Sequence, residues 1–557
     1  MKSLSSPLFI AFLAGLTVQF SSCSSPEKTQ VDQLFTHAVL VTPDSTVTNY
    51  TVAVTDGRIV GMSRQEQTPW HSDDTLNLNG AFLYAGFIDA HAHFVGYAKG
   101  LQSVDLRGTK SWEEVVERTV AFAEANPHIT YITGRGWDQN DWSIDKLMPK
   151  NTKLNVAFPN TPVVLTRIDG HAVIANQAAL DLDSIGPWTT VEGGEVIRNF
   201  GYLTGVLIDN ATELLQIPEA SNAQLAEGLL MAQENCFAVG LTTIDDAGLS
   251  KPMIEFIDSL QRANQLKMRI YAMVSDDPRW MEHYLENGFY QTDRLNVRSF
   301  KFYGDGALGS RGACLREPYH DEPGYFGLML SSEDHFRESA QKLAEAGFQM
   351  NTHAIGDSAN HLLLEIYWDT FNAYNEGRET KKSDFRWRIE HAQVVSENDF
   401  EKFDQPYIIP SIQPTHATSD MYWAERRLGP ERVKNAYAYR ELLNPAGWVA
   451  LGTDFPVEEI DPLNTFYAAV VRKDHAGFPE GGFQMENALS REDALRGMTI
   501  WAAISNFEEE DKGSIELGKW ADFTILDTDL LSCPEDDILR ARVLYTVVNG
   551  EVVYKND

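Results

Sequence analysis

The chain has 557 residues, 43% of them hydrophobic, and its 80 acidic against 46 basic residues give a formal net charge of −34. This length exceeds one ordinary domain and allows a large core. The acidity excludes nucleic acid as a partner, because phosphate recognition requires a basic face. Two explanations of the acidity stay open: a solvated surface that aids solubility, and selection for a cationic substrate.

The N-terminus predicts export. A short apolar run over residues 8–18 follows Lys2 and is too short for a transmembrane helix. The next residues, Phe20-Ser21-Ser22-Cys23, resemble the cleavage site of a bacterial lipoprotein. We therefore interpret residues 1–23 as a signal peptide with Cys23 as the lipidated residue, and ordinary secretion as the alternative. We expect a periplasmic or outer-membrane-associated lipoprotein that contacts the membrane only through this anchor.

Both ends of the mature chain have β character. Residues 30–84 alternate between apolar and polar side chains, with turn signals at Asp56-Gly57 and Asn79-Gly80. Residues 505–557 have the same pattern and a hairpin signal at Asn549-Gly550. We predict that 30–84 and 505–557 form one composite β-sandwich domain, because they flank a long α/β region.

The region 85–504 is a repeat of strand and helix patterns. Eight strand-like apolar runs lie between residues 81 and 456, and a helical pattern follows most of them. Eight parallel β/α units predict a TIM (β/α)8 barrel whose active site lies at the C-terminal ends of the strands. The stretch from about 105 to 235 is too long for a βα loop. It predicts an inserted subdomain after strand 1 that covers the pocket.

Histidine and carboxylate side chains recur at the predicted strand ends. His91 and His93 are two residues apart on the first strand, so they point to the same face. Asp454 follows the eighth strand and completes a predicted site for one divalent metal, and His353 and His391 end two further strands and predict a second. Imidazole and carboxylate ligands suit zinc first, and iron or manganese also.

Lys301 ends the fourth strand-like run. An ammonium group cannot bind a metal, but burial lowers the pKa of a lysine and leaves an amine that reacts with carbon dioxide. The resulting carbamate has two oxygens and could bridge two metal ions. A salt bridge with Asp305 is the alternative role of this lysine.

Several segments together resemble one family. They are "GFIDAHAHF", "KFYGDGALGSR", "NTHAIGD", "RIEHAQ", "LGTDFPV" and "GSIELGKWADFTILD". In this order they resemble the amidohydrolase superfamily, in the branch that includes N-substituted formamide deformylases. The resemblance implies His91, His93, His353 and His391 as metal ligands, Lys301 as the carbamylated bridge, and Asp454 as ligand and proton shuttle.

Three further residues are candidates for the pocket. His171 lies in the insertion and could reach down to orient a substrate carbonyl, and a plain loop histidine is the alternative. Arg311 could bind an anionic group of a substrate or form a surface salt bridge. Trp137 could form an apolar wall or pack in a core. His416 ends the seventh strand, and the sequence assigns it no role.

The leading hypothesis is a metal-dependent hydrolase of an amide, formamide, carbamate or cyclic amide C–N bond in a small molecule. Asp454 would act as general base and acid, with one or two divalent ions per chain. A single-metal deaminase of the same superfamily and a catalytically inactive binding barrel are the alternatives. A homo-oligomer is compatible with the sequence, which does not name the substrate.

Overall fold

A computed structural model describes residues 28–64, 68–127, 129–142, 146–218, 221–404 and 407–556. The predicted lipidation site Cys23 lies outside these residues. Within the described ranges, no helix combines the length and the apolar character that crossing a membrane requires. The structure contains a barrel, a sheet built from both ends of the chain, and an inserted sheet.

Eight parallel strands in sequential order form the barrel. They are β1 (Phe87–Ala92), β2 (Leu241–Leu249), β3 (Arg269–Ser275), β4 (Leu295–Tyr303), β5 (Gln349–Ala354), β6 (Trp387–His391), β7 (Ile408–Ile412) and β8 (Ala450–Leu451). Two backbone hydrogen bonds join the chain after β8 to the end of β1: Asp454 N to His91 O and His93 N to Phe455 O, each 2.8 Å. The predicted TIM barrel is confirmed.

Several helices of the barrel begin at side-chain caps that the sequence signals. Ser332 accepts a hydrogen bond from the backbone of His335, and Gly347 ends the same helix in the left-handed conformation. The apolar faces of these helices pack on the strands in one large core. The helices before and after the strands are Asn222–Ala238, Lys251–Arg262, Pro278–Asn287, Glu333–Ala346, Asp357–Asn375, Pro414–Asp420, Ala424–Arg432, Tyr439–Ala446, Pro462–Val471, Arg491–Gly497 and Ile500–Ser505, and the short strand Tyr290–Gln291 pairs with β4.

The two ends of the chain meet in one eight-stranded sheet. Strand Phe82–Ala85 pairs antiparallel with Phe523–Leu526 and so joins the two halves. Gly86 lies between this sheet and β1, and a Cβ at that position would lie 2.3 Å from the hydroxyl oxygen of Thr242. The apolar run from 81 to 88 is therefore two strands rather than one. The other strands of this sheet are Gln33–Thr42, Ser45–Thr55, Arg58–Ser63, Asp74–Asn77, Val543–Val548 and Glu551–Lys555. A separate pair of short strands joins Thr29–Gln30 to Trp70–His71. The helix Glu535–Ile538 lies in the chain between Phe523–Leu526 and Val543–Val548.

An inserted sheet of six strands lies in the chain between β1 and β2. It has an apolar core of its own, and its loops reach the C-terminal ends of the barrel strands. Its strands are Val104–Asp105, Ile132–Trp137, Val163–Arg167, Ala172–Ala175, Gly194–Asn199 and Tyr202–Asp209, and the helices of this region are Phe94–Gly100, Trp112–Ala125, Thr152–Ala157 and Gln177–Leu182.

Charged side chains occupy the barrel interior below its C-terminal mouth. Arg388 is fully buried and pairs with Asp245 at 2.9 Å and with Glu390 at 2.8 Å. It also donates a hydrogen bond to the carbonyl of Ala90, which ties β6 to β1. Asn506 donates to the second oxygen of Asp245 at 2.6 Å. A single cation thus contacts two carboxylates that are fully buried.

We predict that Arg388→Met lowers the free energy of unfolding by about 3–5 kcal/mol, because it leaves buried charges without a partner. Urea unfolding followed by tryptophan fluorescence measures the change. The matched control is Arg540→Met, whose side chain is 73% exposed and pairs with Asp537 on the surface. The control is expected to change stability by less than about 0.5 kcal/mol. A loss for Arg388→Met as small as that of the control would contradict the prediction.

Candidate active site

A cavity of about 360 Å³ opens at the C-terminal ends of the barrel strands. Strand-end residues form its floor, and loops of the inserted sheet form much of its walls. The floor side chains come from different strands of the barrel: His93, Lys301, His353, His391, His416 and Asp454. The structure therefore brings together side chains that lie up to several hundred residues apart in sequence.

One group on this floor has the composition of a metal site. The ligand atoms of His91, His93 and Asp454 all lie within 4.8 Å of one another. The Nε2 atoms of His93 and His91 lie 3.2 Å and 3.7 Å from Oδ1 of Asp454. Three ligands from two adjacent strand ends can hold one divalent ion and leave a position for water or substrate.

The remaining predicted ligands lie beside this group. Nζ of Lys301 is 3.2 Å from Nε2 of His91, and the rings of His353 and His391 are 4.4 Å apart. Nε2 of His353 and Nδ1 of His391 are buried and have no hydrogen-bond partner among the described residues. Buried nitrogens without a partner cost free energy, so they indicate a ligand that completes the site.

His416 is a member of the floor that the sequence left without a role. It follows β7, and together with His391 and Asp454 it forms a second group that could hold a metal. Its Nε2 lies 3.6 Å from Oδ2 of Asp454 and has no hydrogen-bond partner in the described part of the chain. The sequence contained the signal for this assignment, because His416 follows the end of a predicted strand as the other candidate ligands do.

The protonation states on the floor suit metal binding. Burial lowers the pKa of His91 to about 4 and those of His353 and His391 well below the ordinary value. Although burial opposes it, the hydrogen bond from His93 and the nearby His91 hold the pKa of Asp454 well below its ordinary value. Neutral imidazoles and an ionised carboxylate are the forms that bind a metal. Burial also lowers the pKa of Lys301 to about 8, which makes the free amine accessible.

Contacts at Nδ1 orient two of the predicted metal ligands. Nδ1 of His91 lies 2.5 Å from Oε2 of Glu390, and Nδ1 of His93 lies 3.0 Å from the carbonyl of Ala247. Although burial alone would raise it, Arg388 and His91 hold the pKa of Glu390 below its ordinary value. Each histidine thereby presents its Nε2 to the site, in the manner of a carboxylate–histidine–metal arrangement.

The backbone at the floor is locally strained. His391 and Asp454 have φ values of 73° and 64°, a region that non-glycine residues enter rarely. Gly452, two residues before Asp454, approaches β1 so closely that a Cβ there would lie 2.5 Å from the backbone nitrogen of His91. Strain of this kind persists where the surrounding structure enforces it, and it occurs often at functional sites.

The inserted sheet supplies a histidine and a carboxylate above the floor. Nδ1 of His171 lies 2.8 Å from Oδ1 of Asp209, and the His171 ring is 5.2 Å from the ring of His353. Although burial opposes it, the hydrogen bond to Asp209 raises the pKa of His171. The sequence predicted His171 at the pocket, where the structure places it, but it missed Asp209. Asp209 lies 38 residues further along the chain, so no local pattern connects the two.

A model of the amidohydrolase family matches residues 74–554. The chain belongs to the amidohydrolase family. It is 31% identical over 559 aligned residues to the protein LONG AFTER FAR-RED 3 of Arabidopsis thaliana, covering 96% of this chain and 93% of that one. It is 26% identical to the N-substituted formamide deformylase of Arthrobacter pascens, covering 90% and 94% of the two chains.

A solved structure shares the fold of this amidohydrolase. It is an uncharacterised metal-dependent hydrolase from Pyrococcus horikoshii, with a TM-score of 0.72 and 24% identity over 90% of this chain and 99% of that chain. The family membership and the histidine and aspartate groups on the floor support a hydrolase that binds divalent metal.

Two residues predicted for the substrate pocket of this amidohydrolase lie elsewhere, so these assignments are corrected. Trp137 is fully buried in the core of the inserted sheet, where its Nε1 donates a hydrogen bond to the carbonyl of Leu165. Arg311 does not line the cavity, and it pairs with Asp321 at 3.1 Å and with Glu322 at 3.2 Å. Residue type alone did not distinguish a pocket wall from a core, or a ligand contact from an ion pair.

We predict that removing divalent metal with a chelator lowers the thermal unfolding midpoint of this amidohydrolase and that adding Zn²⁺ restores it. At a free metal concentration of about 100 times Kd, binding stabilises the folded state by about 2.7 kcal/mol. His93→Ala is expected to lose most of this stabilisation and at least one metal ion per chain by elemental analysis. Lys301→Ala is expected to lose one ion if the lysine bridges two.

The control for both variants is His475→Ala, which changes an exposed histidine away from the cavity. It is expected to keep the metal content and the stabilisation of the unchanged protein. One tightly bound ion that is unaffected by Lys301→Ala would contradict the bridge. An unfolding midpoint that does not respond to chelation or to added metal would contradict the metal site itself.

Proposed function

We propose that this amidohydrolase cleaves a C–N bond of an amide, formamide, carbamate or cyclic amide in a small molecule. The observation that carries the proposal is the group of His91, His93 and Asp454 at the bottom of the cavity. The similarity to an N-substituted formamide deformylase makes formamides the first substrates to examine.

The floor residues divide between two predicted metal positions. His91, His93 and Asp454 would hold one ion, and His353, His391 and a carbamate on Lys301 would hold or bridge to the second. A divalent metal at such a site lowers the pKa of water from about 15.7 toward 7 and polarises a carbonyl. Zinc suits these ligands. The number of metal ions bound per chain distinguishes a single-metal deaminase, with one ion, from the bridged hydrolase, with two.

Asp454 performs the proton transfer in this proposal. Its carboxylate is ionised at neutral pH, and its two oxygens lie near His93 on one side and His416 on the other. It accepts a proton from the attacking water and delivers it to the leaving nitrogen, which departs as a neutral amine. An amine is a poor leaving group without that proton, so the cleavage depends on this transfer.

His171 holds the substrate oxygen. Because Nδ1 contacts Asp209, the dyad leaves Nε2 of His171 free to donate a hydrogen bond into the cavity. Negative charge develops on the carbonyl oxygen as water attacks, and a fixed donor stabilises that charge more than it stabilises the ground state. Asp209 is a positioning residue here, because it acts through the imidazole.

We predict that Asp454→Asn lowers kcat at least about 10²–10⁴-fold, the range typical of general acid–base catalysis. Formate and amine release from a panel of N-substituted formamides, with amides, carbamates and cyclic amides alongside, measures the effect on metal-loaded protein. His171→Asn is expected to lower kcat about 10²–10³-fold with unchanged metal content. His475→Ala is the matched control and is expected to keep full activity.

Activity of Asp454→Asn equal to that of the unchanged protein would contradict the proton transfer. If metal-loaded protein cleaves nothing in the panel, the reading as an inactive binding barrel gains support and the hydrolase proposal fails. Ammonia release from an aromatic amine without cleavage of any amide would favour the deaminase instead.

We also propose that the protein is exported and carries lipid on Cys23, which lies outside the described residues. The support is the lipoprotein-like segment Phe20-Ser21-Ser22-Cys23. Cys23→Ser is expected to move the protein from the membrane fraction to the soluble periplasmic fraction, while the control Cys533→Ser leaves it in the membrane fraction. Recovery of unchanged protein in the soluble fraction would contradict the anchor.

A further inference from the structure

One buried carboxylate closes the loop that follows strand β4. We name residues 305–314 the β4 loop. Oδ2 of Asp305 accepts hydrogen bonds from the backbone N–H groups of Cys314 at 2.7 Å and of Gly356 at 2.8 Å. Oδ1 accepts one from the N–H of Ile355 at 2.9 Å. Asp305 is fully buried, and no lysine or arginine of the described residues forms an ion pair with it. Its carboxylate therefore fixes both ends of the β4 loop and joins the loop to the chain after β5.

Hydrogen bonds inside the β4 loop bring two of its glycines side by side. The N–H of Gly306 donates to the carbonyl of Gly312 at 3.3 Å, and the N–H of Gly312 donates to that of Ala307 at 2.9 Å. A Cβ built on either glycine would lie 3.0 Å from the Cα of the other. We name Gly306 and Gly312 the glycine socket, because together they present backbone without side chains to the inserted sheet.

Asp209 ends the last strand of the inserted sheet and lies in the glycine socket. A Cβ at Gly306 would lie 2.7 Å from Oδ1 of Asp209, and a Cβ at Gly312 would lie 2.8 Å from its Oδ2. Both distances are shorter than the 3.0 Å below which Cβ contacts essentially never occur. A methyl group at either glycine would therefore displace the carboxylate.

The carboxylate in the socket is the one that orients His171. Oδ1 of Asp209 lies 2.8 Å from Nδ1 of His171, and the backbone N–H of Asp209 donates to the carbonyl of His171 at 2.8 Å. Oδ2 is buried and has no hydrogen-bond partner among the described residues. The carboxylate thus has one hydrogen bond, to the imidazole, and its position depends on its packing against the glycine socket.

We propose that the glycine socket sets the position of the His171–Asp209 pair over the cavity floor and so positions this hydrogen-bond donor for catalysis. The inference rests on the proposed function, in which His171 holds the substrate oxygen. The inserted sheet has an apolar core of its own, so a donor that it carries requires a contact that fixes it relative to the barrel. Neither glycine lines the cavity, so both are positioning residues. A misplacement of about 1 Å can lower a rate by about 10²-fold.

Gly306→Ala and Gly312→Ala test the socket with the smallest side chain. Neither glycine has a positive φ, so alanine is compatible with the backbone at both positions. We expect kcat on N-substituted formamides to fall about 10²-fold in each variant, with unchanged metal content. The matched control is Gly481→Ala, also at a position without a positive φ, where a Cβ would meet nothing within 4 Å. It is expected to keep full kcat.

The His171→Asn background separates positioning from a general disturbance of the fold. In that background the socket has no donor to position, so Gly306→Ala is expected to lower kcat further by less than about threefold. A structural effect that does not act through His171 would lower kcat by the same factor in both backgrounds. Equal factors would overturn the proposal.

Nuclear magnetic resonance tests the socket without turnover. In metal-loaded protein with ¹⁵N-labelled histidine, the proton between Nδ1 of His171 and Asp209 is expected to give a downfield signal, because it lies in a charge-assisted hydrogen bond. Its loss in His171→Asn identifies it. The signal is expected to shift in Gly306→Ala and in Gly312→Ala, and to stay unchanged in Gly481→Ala.

The two readouts distinguish the inference from the proposed function. A signal that neither socket variant shifts would overturn the positioning role of the glycine socket. A shifted signal in a protein whose unchanged form cleaves no formamide would support the socket as the element that positions His171. The same result would count against the proposed function.

Discussion

The geometry of the site depends on one buried carboxylate, that of Glu390, which contacts an arginine and a histidine. Glu390 is fully buried, with Arg388 on one side and His91 on the other. In a low-dielectric interior an isolated carboxylate would become protonated and lose its hold on the imidazole. Arg388 keeps Glu390 ionised, and the ionised Glu390 fixes the ring and the free nitrogen of His91. The charges inside the barrel therefore determine the geometry at its mouth.

This arrangement departs from a barrel packed only with branched apolar side chains. Inward positions two residues apart on β6 carry Arg388 and Glu390, and the strand ends on His391. Asp245 on β2 supplies the second anion that Arg388 requires. A buried network of this kind is weak evidence of extra stability, because the desolvation of its members offsets their attraction. Its effect is on position: it connects β1, β2 and β6 through one guanidinium.

The strand ends could be predicted from sequence because their placement is local. A histidine that follows an apolar strand-like run reaches the mouth of the barrel regardless of the rest of the fold, and this reasoning placed His91, His353 and His391 correctly at the cavity floor. It also located all eight barrel strands.

Asp209, which sequence reasoning missed, and Trp137, which it misplaced, both end strands of the inserted sheet, and their contacts depend on how that sheet folds. Asp209 reaches His171 only because strand Tyr202–Asp209 pairs with the strand that follows His171. Trp137 enters a core that exists only inside the inserted sheet. Charge balance across a cavity is a property of the same kind, since it depends on which cation reaches which carboxylate.

The carboxylates that line the cavity differ in how the chain compensates them. Asp138 and Asp169 share one buried guanidinium, that of Arg167. Asp420 instead accepts hydrogen bonds from the Tyr437 hydroxyl at 2.7 Å and from the Gln393 side-chain amide at 3.4 Å, and burial raises its pKa to about 7. A neutral donor orients a carboxylate without balancing its charge, so carboxylates of one cavity differ in their charge balance although they are the same residue type. The partners that tertiary contacts bring together, rather than residue type, therefore set the charge of the cavity.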